Sequence, residues 1–494
     1  MLREAIAKLS RHTLTYAAAE QLGRLAGFLL LPLTTGYLSE AEFGTRELLA
    51  TTLAVLAQAA GLNVTAAMAR HYFDTESESE RNRIVSTTLL AVVAVALTLA
   101  LVLGTTAASW CVWLPSDAVR LPLLLQITLG IFVFQMLREV ANKVLQTQER
   151  SRLYGTLSIL KVTLEIALQI YFLVYLRRGL EGALWAVLLA EASFAALTAA
   201  IVLSKAGLAF STAIFGALFA YSLPLVPNGV LQFGLHSADR YVVGALAGSE
   251  ELGLYALAYK LGYMPNYLIL GPFLLIWYPY VFSIRDALQQ RRMIGRLAPY
   301  LMLLMSAAAF GVALFAPEIV AAASTRASYQ RAWIAVPWIS FGYWLWALFQ
   351  ILQTGFYVER KTRALPMITL SALVVNVFTN LMLVPTTGFV GAAVATVLTF
   401  AALCVVTALR VRTVYAVEFG WSKILAPALA AAVVVAVCLG PGRSTPLAHP
   451  LVKVGLFAAW AAWAWFGGAV GPDDRAAVRQ TIRARLGRRA PSEG

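Results

Sequence analysis

Charge and reactive side chains are scarce in this chain. Of its 494 residues 13% are Asp, Glu, Lys or Arg and 60% are hydrophobic, and mean hydropathy is +0.73. A soluble globular protein carries about a quarter charged residues, so composition excludes one and leaves a polytopic membrane protein. Three cysteines are present: Cys404 and Cys438 fall within apolar runs and Cys111 near the outer edge of another, a pattern that gives neither a disulfide framework nor a thiolate cluster. His12, His71, His236 and His449 are the only histidines and are scattered, so no metal site is expected. No GxxxxGK[ST] phosphate loop occurs, which removes that route to ATP hydrolysis. Long loops are missing too; the longest polar one is FDTESESERNR, Phe73 to Arg83, leaving no room for a catalytic domain outside the membrane. The net charge of +14 is not gathered into basic runs interleaved with aromatics, so no nucleic acid is implied.

Apolar stretches of the length that spans a bilayer, about 20 residues, fall at 13–38, 48–69, 84–110, 122–145, 153–176, 183–204, 218–247, 253–282, 297–321, 333–358, 365–384, 388–409, 424–440 and 454–470. The fold class expected is therefore an all-α polytopic membrane protein with about 14 transmembrane helices. With the N-terminus inside, 25 of the 39 Lys and Arg lie in cytoplasmic segments. The outer segments hold Arg46, Arg120, Arg177, Arg178, Arg326, Arg331, Arg443 and Lys453, so the positive-inside rule predicts both termini in the cytoplasm. The first apolar segment carries Glu20 and Arg24 and lacks a small-residue cleavage pattern, which argues against a cleaved leader. The arginine-rich tail, Asp473 to Arg489, reads first as a topology signal and second as a basic helix lying on anionic lipid.

The chain also writes one pattern twice. GLEGALWAVLLAEA, Gly179 to Ala192, returns 209 positions later as GFVGAAVATVLTFA, with Gly388 for Gly179, Gly391 for Gly182, Ala395 for Ala186 and Leu398 for Leu189. The same offset relates EFGTREL, from Glu42, to ELGLYAL, from Glu251, and LQT recurs at Leu145 and Leu352, each followed within a few residues by Glu-Arg. Matches in one order at nearly one spacing read as two homologous halves. The offset displaces six segments, an even number, so the halves share one orientation. This is the parallel-repeat plan of transporters that rock around a midplane site. The expected organisation is a six-helix repeat over 1–205, a second over 206–410 around a central cavity with the first, transmembrane helices 13 and 14 within 411–472, and a basic cytoplasmic tail over 473–494. Gly179 and Gly388 are expected at outer turns, where a tight bend favours residues without a Cβ.

Ionisable residues inside spanning segments are costly and mark functional candidates. Glu20 with Arg24, and Lys161 with Glu165, are i,i+4 pairs, each able to neutralise itself on one helix face. Arg138, Glu139 and Lys143 stand near a cytoplasmic end, where long side chains can snorkel. Asp239 and Arg240 fall in the outer part of segment 7. Being adjacent, they point about 100° apart, so one is expected to face a cavity or cap the helix end rather than both burying against one partner. Tyr255, Tyr259, Tyr263 and Tyr267, with Lys260 and Asn266 nearby, repeat every four residues and form a winding stripe of phenols, suited either to lining a sugar-binding cavity or to plain packing. Pro224, Pro227, Pro265, Pro272 and Pro279 predict bends in the same two segments.

Three stretches carry a resemblance: LLLPLTTGYLSEAEFG, SADRYVVGALAGSEELGLYALAYKLG and GLEGALWA. They resemble the polysaccharide-biosynthesis flippases of the multidrug/oligosaccharidyl-lipid/polysaccharide exporter superfamily, over nearly the whole chain. The resemblance implies a flippase that carries polyprenyl-diphosphate-linked oligosaccharide from the cytoplasmic to the outer leaflet of a bacterial inner membrane by alternating access, for exopolysaccharide, O-antigen or capsule synthesis. It implies a cationic central cavity formed mainly by helices 1, 2, 7 and 8. By position, Arg24, Arg240 and Lys260 become candidate diphosphate contacts, Tyr255, Tyr259 and Tyr263 candidate sugar contacts, and Glu20 and Asp239 candidate ion-coupling sites. The implied partners are the lipid-linked oligosaccharide, membrane lipids, a glycan polymerase and other export-machinery proteins; no cofactor, metal or enzymatic step is implied. The chain departs from the lipid II flippase branch in lacking a strongly basic helix 1.

A drug/cation antiporter of the same superfamily is the nearest alternative, and would have acidic residues dominating the cavity, where here the signs are mixed. A membrane-embedded glycan polymerase, ligase or glycosyltransferase would need a large outer loop or carboxylate constellation that is not visible. A scaffold for the glycan machinery would not need charges inside the bilayer.

Overall fold

In a computed structural model the chain is described over residues 27–59, 64–223, 226–440, 447, 449–467, 469–471 and 475–476. Helices account for nearly all of it, and no strand occurs among the described residues. In chain order the main ones are α1 (Leu31–Tyr37), α2 (Glu40–Ala59), α3 (Val64–Asp74), α4 (Glu78–Thr105), α5 (Leu121–Thr147), α6 (Ser151–Ile170), α7 (Gly179–Ala206), α8 (Thr212–Ser222) and α9 (Val226–Gly262). There follow α10 (Gly271–Ser283), α11 (Ala287–Leu314), α12 (Ala316–Ala323), α13 (Val336–Leu352), α14 (Ala364–Thr387), α15 (Phe389–Val414), α16 (Trp421–Leu439) and α17 (Pro450–Phe466). Each of the 14 apolar segments overlaps a helix among the described residues, the first, 13–38, being described only from residue 27. Among the described residues, 8 helices are long and apolar enough to cross a bilayer unbroken, and a ninth span bends by 41° between 327–334 and 336–358. The fold is that of an all-α polytopic membrane protein.

The sequence expectation sets the second segment at 48–69, but α2 starts at Glu40. Its start is a capping box: the Ser39 amide donates to Glu42 Oε2 at 2.9 Å while Ser39 Oγ accepts from the Glu42 amide at 3.2 Å. Glu40, Glu42 and Arg46 therefore lie in a helix rather than in an outer loop. Helix α9 is broken at Gly248, whose φ of 89° and ψ of 171° separate two helical stretches. Past its end at Gly262, the chain passes Pro265 and a π-helical turn, Asn266–Leu270, before α10 resumes. The α-helix beneath the tyrosine stripe thus ends at Gly262, ahead of Pro265, which lacks the amide that an α-helix needs, while the Tyr259 and Tyr263 rings stay stacked with centroids 6.0 Å apart.

Two compact units are formed, Met1–Leu257 with Val320–Ala332 and Thr369–Ala395, and Ala258–Ile319 with Trp333–Ile368 and Thr396–Gly494. In the first, α7 packs on α5 and α6, and α4 on α5. Small residues permit that closeness: Ala183, Ala186 and Ala190 on α7 are fully buried. In the second, α11 packs on α13 and α16, around Phe310, Leu314, Ala431, Val435, Cys438 and Trp460.

Candidate functional site

The doubled motifs meet in space within the first unit. The carboxylate of Glu42 accepts from the amide of Leu180 at 3.4 Å, beside Gly179 at φ 53°. Glu251 accepts from the amide of Phe389 at 3.1 Å, beside Gly388 at φ 60°. Each contact spans 138 residues, and its partners are 209 apart from those of the other. A carboxylate placed at a helix N-terminus satisfies an orphan amide and faces the positive end of the helix dipole. The glutamates of α2 and α9 thus cap the starts of α7 and α15. The glycines are required there by more than the turn, since a Cβ on Gly179 or Gly388 would meet the capping carboxylate. Gly44 and Gly253, again 209 apart, pack backbone on backbone: a Cβ on Gly44 would strike the Ser249 carbonyl, and one on Gly253 the carbonyl of Glu40.

A polar cavity of about 320 Å³ also lies within this unit, lined by Arg46, Gln135, Lys161, Glu165 and Glu191 among others. Lys161 and Glu165 pair at 2.7 Å across one turn of α6, as the i,i+4 spacing predicts. The rest of the network was not evident from spacing. Arg138 does not snorkel: it crosses to α7 and grips Glu191 with two bonds, Nε to Oε2 at 2.6 Å and a terminal nitrogen to Oε1 at 3.3 Å. Lys161 reaches the same carboxylate at 2.9 Å. Glu191 is 4% exposed, so three helices are tied by one buried anion shared between two cations. Glu139 on α5 accepts from Gln135 at 3.3 Å. Arg46 is half-buried at the cavity wall, and no described carboxylate pairs with it.

Asp239 is buried and Arg240 half-buried. The arginine folds back along its own helix, its guanidinium lying 3.3 Å from Asp239 Oδ1 and donating to the His236 carbonyl at 2.8 Å. The length of the arginine side chain gives it this reach despite the 100° offset. The hydroxyl of Tyr255 donates to the other oxygen of Asp239. Tyr255 is fully buried and presents no surface to a ligand in this conformation.

In the second unit the hydroxyls of Tyr259 and Tyr343 are hydrogen-bonded. Tyr343 also stands edge-on to Tyr263, with centroids 4.2 Å apart, and Tyr263 edge-on to Tyr267 at 4.3 Å. Tyr259 is 7% exposed, whereas Tyr263 and Lys260 are half-buried. Tyr343, on α13, was not singled out by sequence; it stands in the aromatic run FGYWLWALF with no spacing to mark it. Glu20, Arg24, Pro224 and nearly all of the basic tail lie outside the described residues. No group of three or more potential metal ligands occurs among the described residues.

Comparison with solved structures matches this fold to transporters. The structure described as "Lipid II flippase MurJ, inward closed conformation" superposes with TM-score 0.74 at 12% identity, covering 91% of this chain and 98% of that one. An inward-facing multidrug resistance MATE family transporter of the MOP superfamily gives 0.64 at 17% identity, covering 80% and 94%. A MATE protein in its straight conformation gives 0.59 at 16%, covering 82% and 95%. At these identities the likeness concerns the fold. No protein of curated function matches in sequence. The family model described as "Polysaccharide biosynthesis protein" matches residues 9–285, more than half of the chain. This protein belongs to the polysaccharide biosynthesis protein family, with the fold shared by the lipid II flippase and MATE transporters.

Proposed function

We propose that the chain is a flippase, carrying a polyprenyl-diphosphate-linked oligosaccharide from the cytoplasmic to the outer leaflet of a bacterial inner membrane by alternating access. Both termini are cytoplasmic in this reading, and 1–205 and 206–410 act as the two rocking repeats. The observation that carries it is the family match, joined by cations such as Arg138 and Lys161 within helices long and apolar enough to cross a bilayer. A diphosphate crossing hydrocarbon needs charge compensation, for which arginine is well shaped, while its prenyl tail stays in lipid. Arg24, Arg240 and Lys260 are the proposed diphosphate contacts, and Tyr259 and Tyr263 the proposed sugar contacts.

Arg240 is held by Asp239 and the His236 carbonyl in the described conformation. Binding of a diphosphate therefore requires that hold to loosen, and neutralising Asp239 by a proton would loosen it. This couples an ion gradient to anion binding through one residue pair. Asp239→Asn should uncouple export from the gradient, and Lys260→Ala or Arg24→Ala should stop export at unchanged protein level. Normal export in all three variants would overturn the assignment. The MATE-like fold favours a second reading, a drug/cation antiporter, which predicts drug resistance on overexpression. A glycan polymerase and other export proteins are the proposed partners.

A further inference from the structure

Two connections in the first unit, both on the outer side in the proposed topology, cross from one repeat to the other. Val320–Ala332 belongs to this unit although the chain on either side of it does not. It is bound to the end of α1. Thr35 Oγ1 donates to the Ala323 carbonyl at 2.8 Å, Arg326 Nε to the Gly36 carbonyl at 3.1 Å, and the Tyr329 hydroxyl to the Leu38 carbonyl at 3.2 Å. The last carbonyls of a helix lack a partner within it, and this stretch supplies one to two of them. Tyr329 is fully buried, its ring edge-on to Phe43 of α2 with centroids 6.0 Å apart.

The connection between α4 and α5 holds α9 in the same manner. The Asp117 amide donates to Ser249 Oγ and the Ser249 hydroxyl to Asp117 Oδ2, both at 3.3 Å. A Cβ on Gly244 would lie 3.0 Å from the Pro115 ring, and Ser116 Oγ is bonded to Thr45 Oγ1 on α2 at 2.7 Å. The offset of 209 carries Leu114 onto Ala323 and Thr35 onto Gly244. The contact of Ala323 with Thr35 and that of Pro115 with Gly244 are therefore two copies of one joint, displaced by one residue.

We infer that Leu114–Ala118 and Ala323–Ala332 are a reciprocal pair of straps: each leaves one repeat and grips a helix of the other, and both release when the outer face opens. This rests on the alternating-access reading above. A joint made of a few hydrogen bonds suits contacts remade in every cycle, because water replaces the bonds that opening breaks. Thr325, Ala327 and Ser328 are exposed, so the second strap lies at the surface where water can do so. Two rigid repeats joined at two points cannot part at one of them alone, so release is shared.

The test is labelling of Ser324→Cys, at a position 1% exposed beneath the second strap, by a hydrophilic maleimide in full-length protein held in lipid nanodiscs without substrate. Arg326→Ala and Tyr329→Phe should each raise the labelling rate about fivefold, the shift in an equilibrium for one lost hydrogen bond. Ser249→Ala should raise it to a similar extent, although Ser249 is bonded to the other strap. Cys404 and Cys438, buried elsewhere, should stay unlabelled throughout. Unchanged labelling in all three variants, a rise in Arg326→Ala and Tyr329→Phe without one in Ser249→Ala, or labelling of Cys404 in step with Ser324→Cys would each overturn the inference. No glycan is needed, so a failed flipping assay leaves a positive result standing, and unchanged labelling in a protein that flips normally refutes the straps alone.

Discussion

Replacing Glu191 by Gln removes one charge and almost no volume, and the structure sets what that should cost. The carboxylate side chain is 6% exposed and serves Arg138 at 2.6 Å and Lys161 at 2.9 Å. Glutamine keeps one acceptor but leaves two half-buried cations with only Glu165, 2.7 Å from Lys161, and Glu139, beside Arg138, to offset them. Breaking a buried ion pair from one side costs about 3–5 kcal/mol. Neutral hydrogen bonds between membrane helices average only about 0.6 kcal/mol. The orphaned charge therefore dominates, and we expect about 3 kcal/mol, a shift of about a hundredfold in the folding equilibrium. Removing the stranded cation should recover part of it, so Glu191→Gln with Lys161→Met should be more stable than Glu191→Gln alone. Denaturing-detergent titration of the purified variants measures both quantities. A Glu191→Gln protein within about 0.5 kcal/mol of the parent, the range of surface substitutions, with no recovery in the double variant, would refute the reasoning.

Three further outcomes follow from the described contacts. Glu42→Gln and Glu251→Gln each weaken a helix cap and should each cost about 1 kcal/mol; their near-equality, and additivity in the double variant, can be read in the same titration. Gly253→Ala forces α9 away from the carbonyl of Glu40 and should open the Gly44–Gly253 crossing; thiol labelling of an added Ala41→Cys should then accelerate severalfold, against low background because Cys111, Cys404 and Cys438 are buried. Tyr343→Phe removes the hydroxyl partner of Tyr259 and should cost about 1 kcal/mol, detected as a lower thermal midpoint, while Tyr343→Leu should cost more by also dismantling the ring contacts to Tyr263.

The helices were legible because bilayer thickness fixes their length, and the repeat because 209 separates Gly179 from Gly388 and Glu42 from Glu251. What the repeat does was not legible: the spacing pairs glycine with glycine and glutamate with glutamate, whereas the fold pairs glutamate with the helix that the glycine opens. The start of α2 was missed because hydropathy counts Glu40, Glu42 and Arg46 as loop, although a capping box begins a helix with such residues. Local spacing identified Lys161 with Glu165, but Arg138 and Glu191 are 53 residues apart, and no period connects them. Glu191 had a signal in hindsight, a carboxylate within an apolar helix between Glu181 and Lys205. The tyrosine spacing cannot report that the α-helix ends at Gly262 ahead of Pro265, or that Tyr255 turns onto Asp239 across the break at Gly248.

Lipid-linked glycan movement in proteoliposomes tests the central claim most directly. Short polyprenyl-diphosphate sugars are placed in vesicles with the purified protein, and the fraction reachable by an external glycan-modifying enzyme is followed with and without an ion gradient. The account predicts protein-dependent exposure of the glycan, lost in Arg24→Ala and no longer driven by the gradient in Asp239→Asn. Accessibility that never changes across several glycans, while the same vesicles exchange cationic drugs for protons or sodium, would contradict it.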